Sequence, residues 1–239
     1  MTAAVDAVVI EGRTLRFPIE VRDASSWAAI FSVDAEAAQR IVDPSGLQVV
    51  RALPGKTLVT LVLADYRDGD LEAYHEFGVS FLVHPHEGAS RFDLARGRGC
   101  VYIHHLPVDR SFTLHAGREI WGYPKFPADI DIKQGGVATA CRLTVDGTFV
   151  LRMMVSDSRG WVLPRQNPPT YTLLDGVLRR TTWEVGGRAY ARLGQVDLEL
   201  GDHPIADELR SLGLPKRAFM KICQPHFRAR FGPSEIVSA

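Results

Sequence analysis

The chain has 239 residues, 46% hydrophobic and 23% charged, an ordinary globular composition with enough apolar material for one sizeable core. Its 28 basic residues are matched by 28 acidic ones, so no long-range field draws it to nucleic acid or to an anionic membrane. The longest apolar stretches, residues 58–64 and 79–83, fall far short of the roughly 20 residues of a membrane span, and the first eleven residues carry neither a basic n-region nor a cleavage site. We therefore expect a cytoplasmic protein whose partner is a small molecule or another protein.

In chain order, the first period-two alternation covers residues 27–32 and predicts a strand. A helix follows over 34–42, with Ala35, Ala38, Ile41 and Val42 as its apolar stripe, Asp34 placed to cap and Glu36 in the first turn. Strands are expected at 58–66, 74–84 and 100–105. A short helix over 114–121 is written against its own Gly117. Two more strands, 138–145 and 148–156, precede a stretch at 163–169 whose three prolines mark a loop, either a lid or a crossing connection. A strand at 196–200 leads to a helix over 203–212, where Asp202 can cap, Pro204 suits the first turn and Gly213 can end it left-handed. So many strands between Gly, Asp and Pro turns predict a mainly β fold with flanking helices, built on an antiparallel sheet or barrel. No repeat or linker interrupts the chain, and we read residues 1–239 as one domain.

Cys100, Cys141 and Cys223 are widely spaced without a CxxC pair. They are expected to be reduced, buried small residues. Cys100 stands five residues from His105, but nothing near it marks an activated thiolate. Histidines offer a metal alternative: His84 and His86 share a strand face beside Glu87, and His104-His105 lie on a later strand, a cupin-like set. Pro85 argues for a strand end there, and histidines are more often solvated or satisfied in the core than ligands.

The most unusual local sequence is Gly117-Arg118-Glu119-Ile120-Trp121-Gly122-Tyr123-Pro124-Lys125-Phe126-Pro127, in which one lysine stands between two prolines among aromatics. Proline fixes φ on both sides, and Trp121, Tyr123 and Phe126 can supply an apolar wall. An amine that is to act as a nucleophile near neutral pH must be available uncharged, and desolvation favours that form. By composition alone such a turn is more often a solvated surface lysine.

Residues 117–125 resemble the signature of the acetoacetate decarboxylase superfamily, in which the lysine after Tyr-Pro forms a Schiff base. Tyr102-Ile103-His104 upstream, Asn167-Pro168-Pro169-Thr170-Tyr171 and the helix near Asp202-His203 extend the similarity over most of the chain. The resemblance implies a conical, mostly antiparallel β-barrel with flanking helices, a homo-oligomer, and a Lys125 imine that serves as the electron sink without an organic cofactor or a metal. It also implies that Glu76 is an active-site carboxylate, that Arg22 handles the substrate carboxylate, and that Tyr123 and His104 are available to bind substrate or move protons. Glu76 read without the resemblance is an outward-facing strand residue, and Arg22 a surface cation. Two departures stand out: a second lysine of the prototype is replaced by Phe126, and spacing puts Leu61 at the position of a second glutamate. They make strict acetoacetate decarboxylation less secure than the wider class, which includes aldol condensation and dehydration of pyruvate with aldehydes. A ligand-binding barrel without catalysis is the remaining alternative.

Overall fold

The computed structural model describes residues 6–84, 99–157, 159–194, 196–215 and 217–237. Strands β1 (Ala7–Ile10) and β2 (Arg13–Arg16) form a hairpin. β3 (Ile19–Asp34) leads through helix α1 (Ala35–Val42) and the short β4 (Gln48–Val49) to β5 (Lys56–Gly69), β6 (Tyr74–His84) and β7 (Cys100–Val108). Helix α2 (Ser111–Trp121) returns the chain to β8 (Lys125–Pro127). A second sheet begins with β9 (Asp129–Gln134), β10 (Ala138–Val145) and β11 (Thr148–Ser156). After β12 (Trp161–Val162) come β13 (Thr170–Leu174), β14 (Val177–Gly187), β15 (Tyr190–Leu193) and β16 (Val196–Leu200). Helix α3 (Pro204–Ser211) and β17 (Met220–Ile236) complete the fold.

Strands β17, β14, β13, β7, β6, β5 and β3 are hydrogen-bonded in that order, and β17 pairs with β3, so the seven close into a barrel. Its pairs are antiparallel except β13 with β7, and β8 also joins β7 in parallel. Against the outside lies the second sheet, in the order β16-β11-β10-β9. Along β3, β5, β6 and β7 the barrel wall is consequently buried on both faces, whereas the outer faces of β14 and much of β17 meet solvent. Outward side chains such as Phe31, Leu61, Phe77 and Phe81 meet Leu143, Leu151 and Met153 of the second sheet, together with α1 and α3. A smaller apolar cluster inside gathers Tyr74, Leu106, Phe112, Ile120, Trp121 and Tyr123. Each fully buried large side chain contributes roughly 1.5–3 kcal/mol, so the two-sided wall is where the barrel's stability is concentrated.

Two hairpins, β10–β11 and β13–β14, turn on Asp146-Gly147 and Asp175-Gly176, each with both central residues at positive φ. That left-handed pair matches the right-handed twist of the strands it joins.

Asp34 caps α1 as expected, accepting a hydrogen bond from the Ala37 amide at 2.9 Å. α3 is capped by His203, whose Nδ1 accepts from the Ile205 amide, rather than by Asp202; Gly213 does take positive φ. α2 begins three residues before the expected start and has no side-chain cap, so its first turn left no signal in the sequence. Residues 163–169 form a crossing connection: the Trp183 indole donates to Pro168 O and the Val185 amide donates to Asn167 Oδ1. All three cysteines are buried and unbridged, and burial pushes the Cys100 thiol up, away from the thiolate. Among the described residues, no helix is long and apolar enough to cross a membrane.

Candidate active site

Helix α2 ends on Gly122, at φ +63°, whose amide donates to Arg118 O while that of Tyr123 donates to Gly117 O. These bonds close the helix and swing the chain into β8, beside β7. The turn is pinned from three sides. Trp121 Nε1 donates to Gly232 O, Thr172 Oγ1 to Trp121 O and Arg118 to Lys125 O. Lys125 is thereby aimed into the barrel, where it is 2% exposed.

There its Nζ lies 2.8 Å from Glu76 Oε2 and 3.0 Å from Thr113 Oγ1, over the face of Tyr74 at 4.9 Å. The other oxygen of Glu76 accepts from the Tyr66 hydroxyl at 3.2 Å, and Tyr66 stacks on Tyr74. Burial first, and then the Glu76 charge, push the Tyr66 and Tyr74 phenols well above their ordinary range. Tyr123 is pushed up as well, chiefly by burial. All three remain protonated and can only donate or relay. The amine faces a cavity of about 210 Å³. Since a water molecule occupies roughly 30 Å³ of liquid, this is space for a small organic acid. Val62, Ala64, Ile103, Leu106, Trp183 and Phe227 supply much of its apolar wall.

Backbone register explains why these groups meet. On β6, Tyr74, Glu76, Gly78 and Ser80 alternate inward without interruption. Ala64 of β5 is directly opposite Glu76, so the inward positions of β5 are Val62, Ala64 and Tyr66. Leu61, expected where a second glutamate would stand, instead points out into the wall core and is fully buried there. The cavity nevertheless receives no carboxylate from that part of β5. Phe126 is likewise turned away from the amine beside it and meets the His105 ring edge-on at 6.2 Å. Both side chains therefore lie outside the cavity wall.

Of the residues singled out from the sequence, Lys125, Glu76 and Tyr123 come together at the cavity. Arg22 does not: it lies outside the cavity wall, paired with Asp68 at 2.8 Å and Asp70 at 2.6 Å. The barrel strand reverses its facing between Val21 and Asp23 through a register shift, which alternation alone does not reveal. His104 also faces away, toward Glu208 of α3. Both ring nitrogens of the half-buried His84 are shielded without a hydrogen bond among the described residues, while His86 and Glu87 lie outside them. Thr113, Tyr66 and Tyr74 were not anticipated. Tyr74 shares the parity of Glu76 and was legible once that face was assigned; Thr113 sits on a helix with no cap to announce its phase.

A family model described as acetoacetate decarboxylase matches residues 12–222. The chain belongs to the acetoacetate decarboxylase family. Comparison with curated proteins gives no match. Among solved structures it is similar to an acetoacetate decarboxylase at 18% identity, covering 93% of this chain and 90% of the other with a TM-score of 0.70. It is also similar to the acetoacetate decarboxylase of Legionella pneumophila, at 16% identity over 95% and 91% of the two chains, TM-score 0.71. A third similar structure is the enduracididine biosynthesis enzyme MppR complexed with the condensation product of pyruvate and imidazole 4-carboxaldehyde. There the identity is 18%, over 94% and 91%, with a TM-score of 0.64. These structures share the barrel.

Proposed function

We propose that this protein is a lyase in which Lys125 forms a Schiff base with a small β-keto acid and expels carbon dioxide. The observation that carries the reading is the Lys125 amine, 2% exposed and 2.8 Å from Glu76 in an apolar cavity. Transfer of one ammonium proton to Glu76 frees the amine to attack the ketone carbon. The carbonyl oxygen leaves as water and a protonated imine remains. The bond to the carboxylate then breaks: its electron pair forms the C=C bond of an enamine, the C=N π pair moves onto nitrogen, and carbon dioxide departs. Protonation of the enamine carbon and hydrolysis of the imine return ketone and lysine.

The charge pattern of the wall favours this order of events. Among the described residues that line the cavity, Lys125 is the one cation, with Glu76 beside it and Asp68 and Glu72 as further carboxylates. A substrate carboxylate is thus held near an anion and apolar walls, and it loses that unfavourable position when it leaves as neutral carbon dioxide. Pyruvate condensation is the second reading. MppR has been captured with pyruvate and its condensation product, and the same enamine here, flanked by Glu76 and three protonated tyrosines, has donors for an aldol and dehydration route. Neither route requires an organic cofactor, and we place the protein in the cytoplasm as a homo-oligomer.

The test is intact-mass analysis after incubation with acetoacetate or with pyruvate, with and without borohydride, followed by peptide mapping. A reduced adduct on Lys125 is expected with acetoacetate, at the mass left after loss of carbon dioxide, and Lys125→Ala is expected to abolish both adduct and turnover. Turnover retained by Lys125→Ala rejects the mechanism. An adduct formed by pyruvate alone moves the assignment to condensation.

A further inference from the structure

Behind the Lys125 cavity, on the opposite face of β7, lies a second concentration of donor atoms. Cavity-lining residues on β7 run Val101, Ile103 and then Leu106, a change of parity. The cause is a bulge: Ser80 pairs with Ile103 and Val79 with His105, so His104 is the extra residue on β7. The bulge turns the rings of His104 and His105 to the same side, 4.1 Å apart between centroids. Both Nε2 atoms converge on one carboxylate of α3, each 3.0 Å from a different oxygen of Glu208.

We propose that His104, His105 and Glu208 form a binding site for a borderline divalent transition ion of the zinc type. One donor atom from each residue lies within 4.8 Å of the others. Metal–nitrogen and metal–oxygen bonds of about 2.0–2.2 Å at tetrahedral angles place donor atoms roughly 3.3 Å apart; each histidine already stands 3.0 Å from one Glu208 oxygen, and the remaining donor separations of the set lie within 4.8 Å. The ion takes the place of the two Nε2···O contacts: each imidazole binds through its Nε2 lone pair with the other ring nitrogen carrying the hydrogen, any displaced proton leaves to solvent, and the carboxylate is the third ligand. Two nitrogens and an oxygen suit zinc or cobalt better than magnesium or calcium, which prefer all-oxygen shells. Three protein ligands also leave a position for water.

The surroundings fit a held ion. The three side chains are 19%, 22% and 27% exposed, shielded yet reachable from solvent. Phe81 is edge-on to His104, and Phe126 to His105, fixing the ring planes against apolar walls. Such an ion clamps α3 to β7 and, through Phe126 on His105, braces the strand that carries Lys125. It takes no part in imine chemistry, since the barrel wall separates the two sites.

The decisive measurement is addition of Zn²⁺ to chelator-treated protein, read by native mass spectrometry, with Co²⁺ as the spectroscopic probe. One ion per chain is expected, with a visible Co²⁺ absorption of tetrahedral type and a raised melting midpoint. Glu208→Gln, which retains the shape of the side chain, and His105→Ala are each expected to lose the bound ion and the absorption, while Lys125→Ala keeps both. Wild-type protein that takes up no ion overturns the site and leaves an ordinary hydrogen-bonded helix lock. Uptake undiminished in Glu208→Gln overturns it too, by placing the ion elsewhere. Borohydride trapping at Lys125 is read separately, so failure of one assignment does not touch the other.

Discussion

Gly117 carries a double burden. A glycine inside a helix costs about 0.5–1 kcal/mol relative to alanine, and it is the reason α2 reads weakly from sequence. A Cβ there, however, would stand 2.5 Å from Cδ of Lys125 and 2.7 Å from Cε, where the lysine stem crosses the helix. The lysine can yield only by moving its amine from Glu76 and Thr113. Gly117→Ala is therefore expected to fold normally by circular dichroism yet lose adduct formation and turnover at least tenfold, on the order of what one misplaced catalytic group costs. Activity near that of the wild type would show that the amine does not need its present position. Phe126 makes the complementary case. Its ring lies against His105 rather than in the cavity, so Phe126→Lys is expected to leave the pH profile of imine formation unchanged, and a shifted profile would bring that side chain back to the amine.

Glu76 sits one residue beyond a clamp between the start of β6 and the end of β7. The His75 amide donates to Asp109 Oδ1 at 2.8 Å, and the Asp109 amide donates to His75 O. His75 Nδ1 lies 2.9 Å from Asp109 Oδ2, with Asp65 at 3.6 Å from Nε2 on the other side of the ring. Asp109 foremost raises the His75 pKa, against burial and the opposing charge of Arg110. Because the folded value is raised, its contribution to stability is fully present below the unfolded value of about 6.5 and is lost as pH rises through the folded value. The advantage of the wild type over His75→Gln in urea midpoint is thus expected to be largest below about pH 6.5 and to shrink as the pH is raised from there into the alkaline range. A difference constant over that range would mean that the ring's charge has no stabilising role. The ring is about one-third exposed, so solvent screening keeps the effect modest.

At the scale of the molecule, the barrel wall is covered inside by aromatic side chains and α2, and outside by the second sheet. Large apolar residues remain exposed elsewhere: Trp161 and Val162 on β12, the terminal strand of the large sheet, and Leu193 on the adjacent β15. An uncovered strand edge with apolar side chains is a surface on which chains associate, in keeping with the proposed homo-oligomer. Light scattering is expected to give a multiple of the 26.4 kDa chain mass, reduced in Trp161→Glu. A monomeric wild type would end the oligomer proposal; an undiminished mass in the variant would move the contact to another surface.

The sequence alone determined that the chain is strand-rich, where most strands lie, that Asp34 caps a helix and that Lys125 is the residue to examine, because those properties reside in short-range periodicity and in one local motif. It did not decide which side of each strand faces the cavity. A period of two leaves the choice of face open, and a wall buried on both sides offers apolar residues to either reading; Leu61 and Val62 differ only in which core they enter. The bulge at His104 and the register shift after Val21 then change the facing within single strands, which moved His104 and Arg22 away from the amine. Glu208 is more than 100 residues from the histidines it joins, and Thr113 reaches Lys125 only because Gly122 turns the chain back. Those meetings depend on closure of the barrel and the register of its strands, which are properties of pairing between distant segments and became visible only in the tertiary structure.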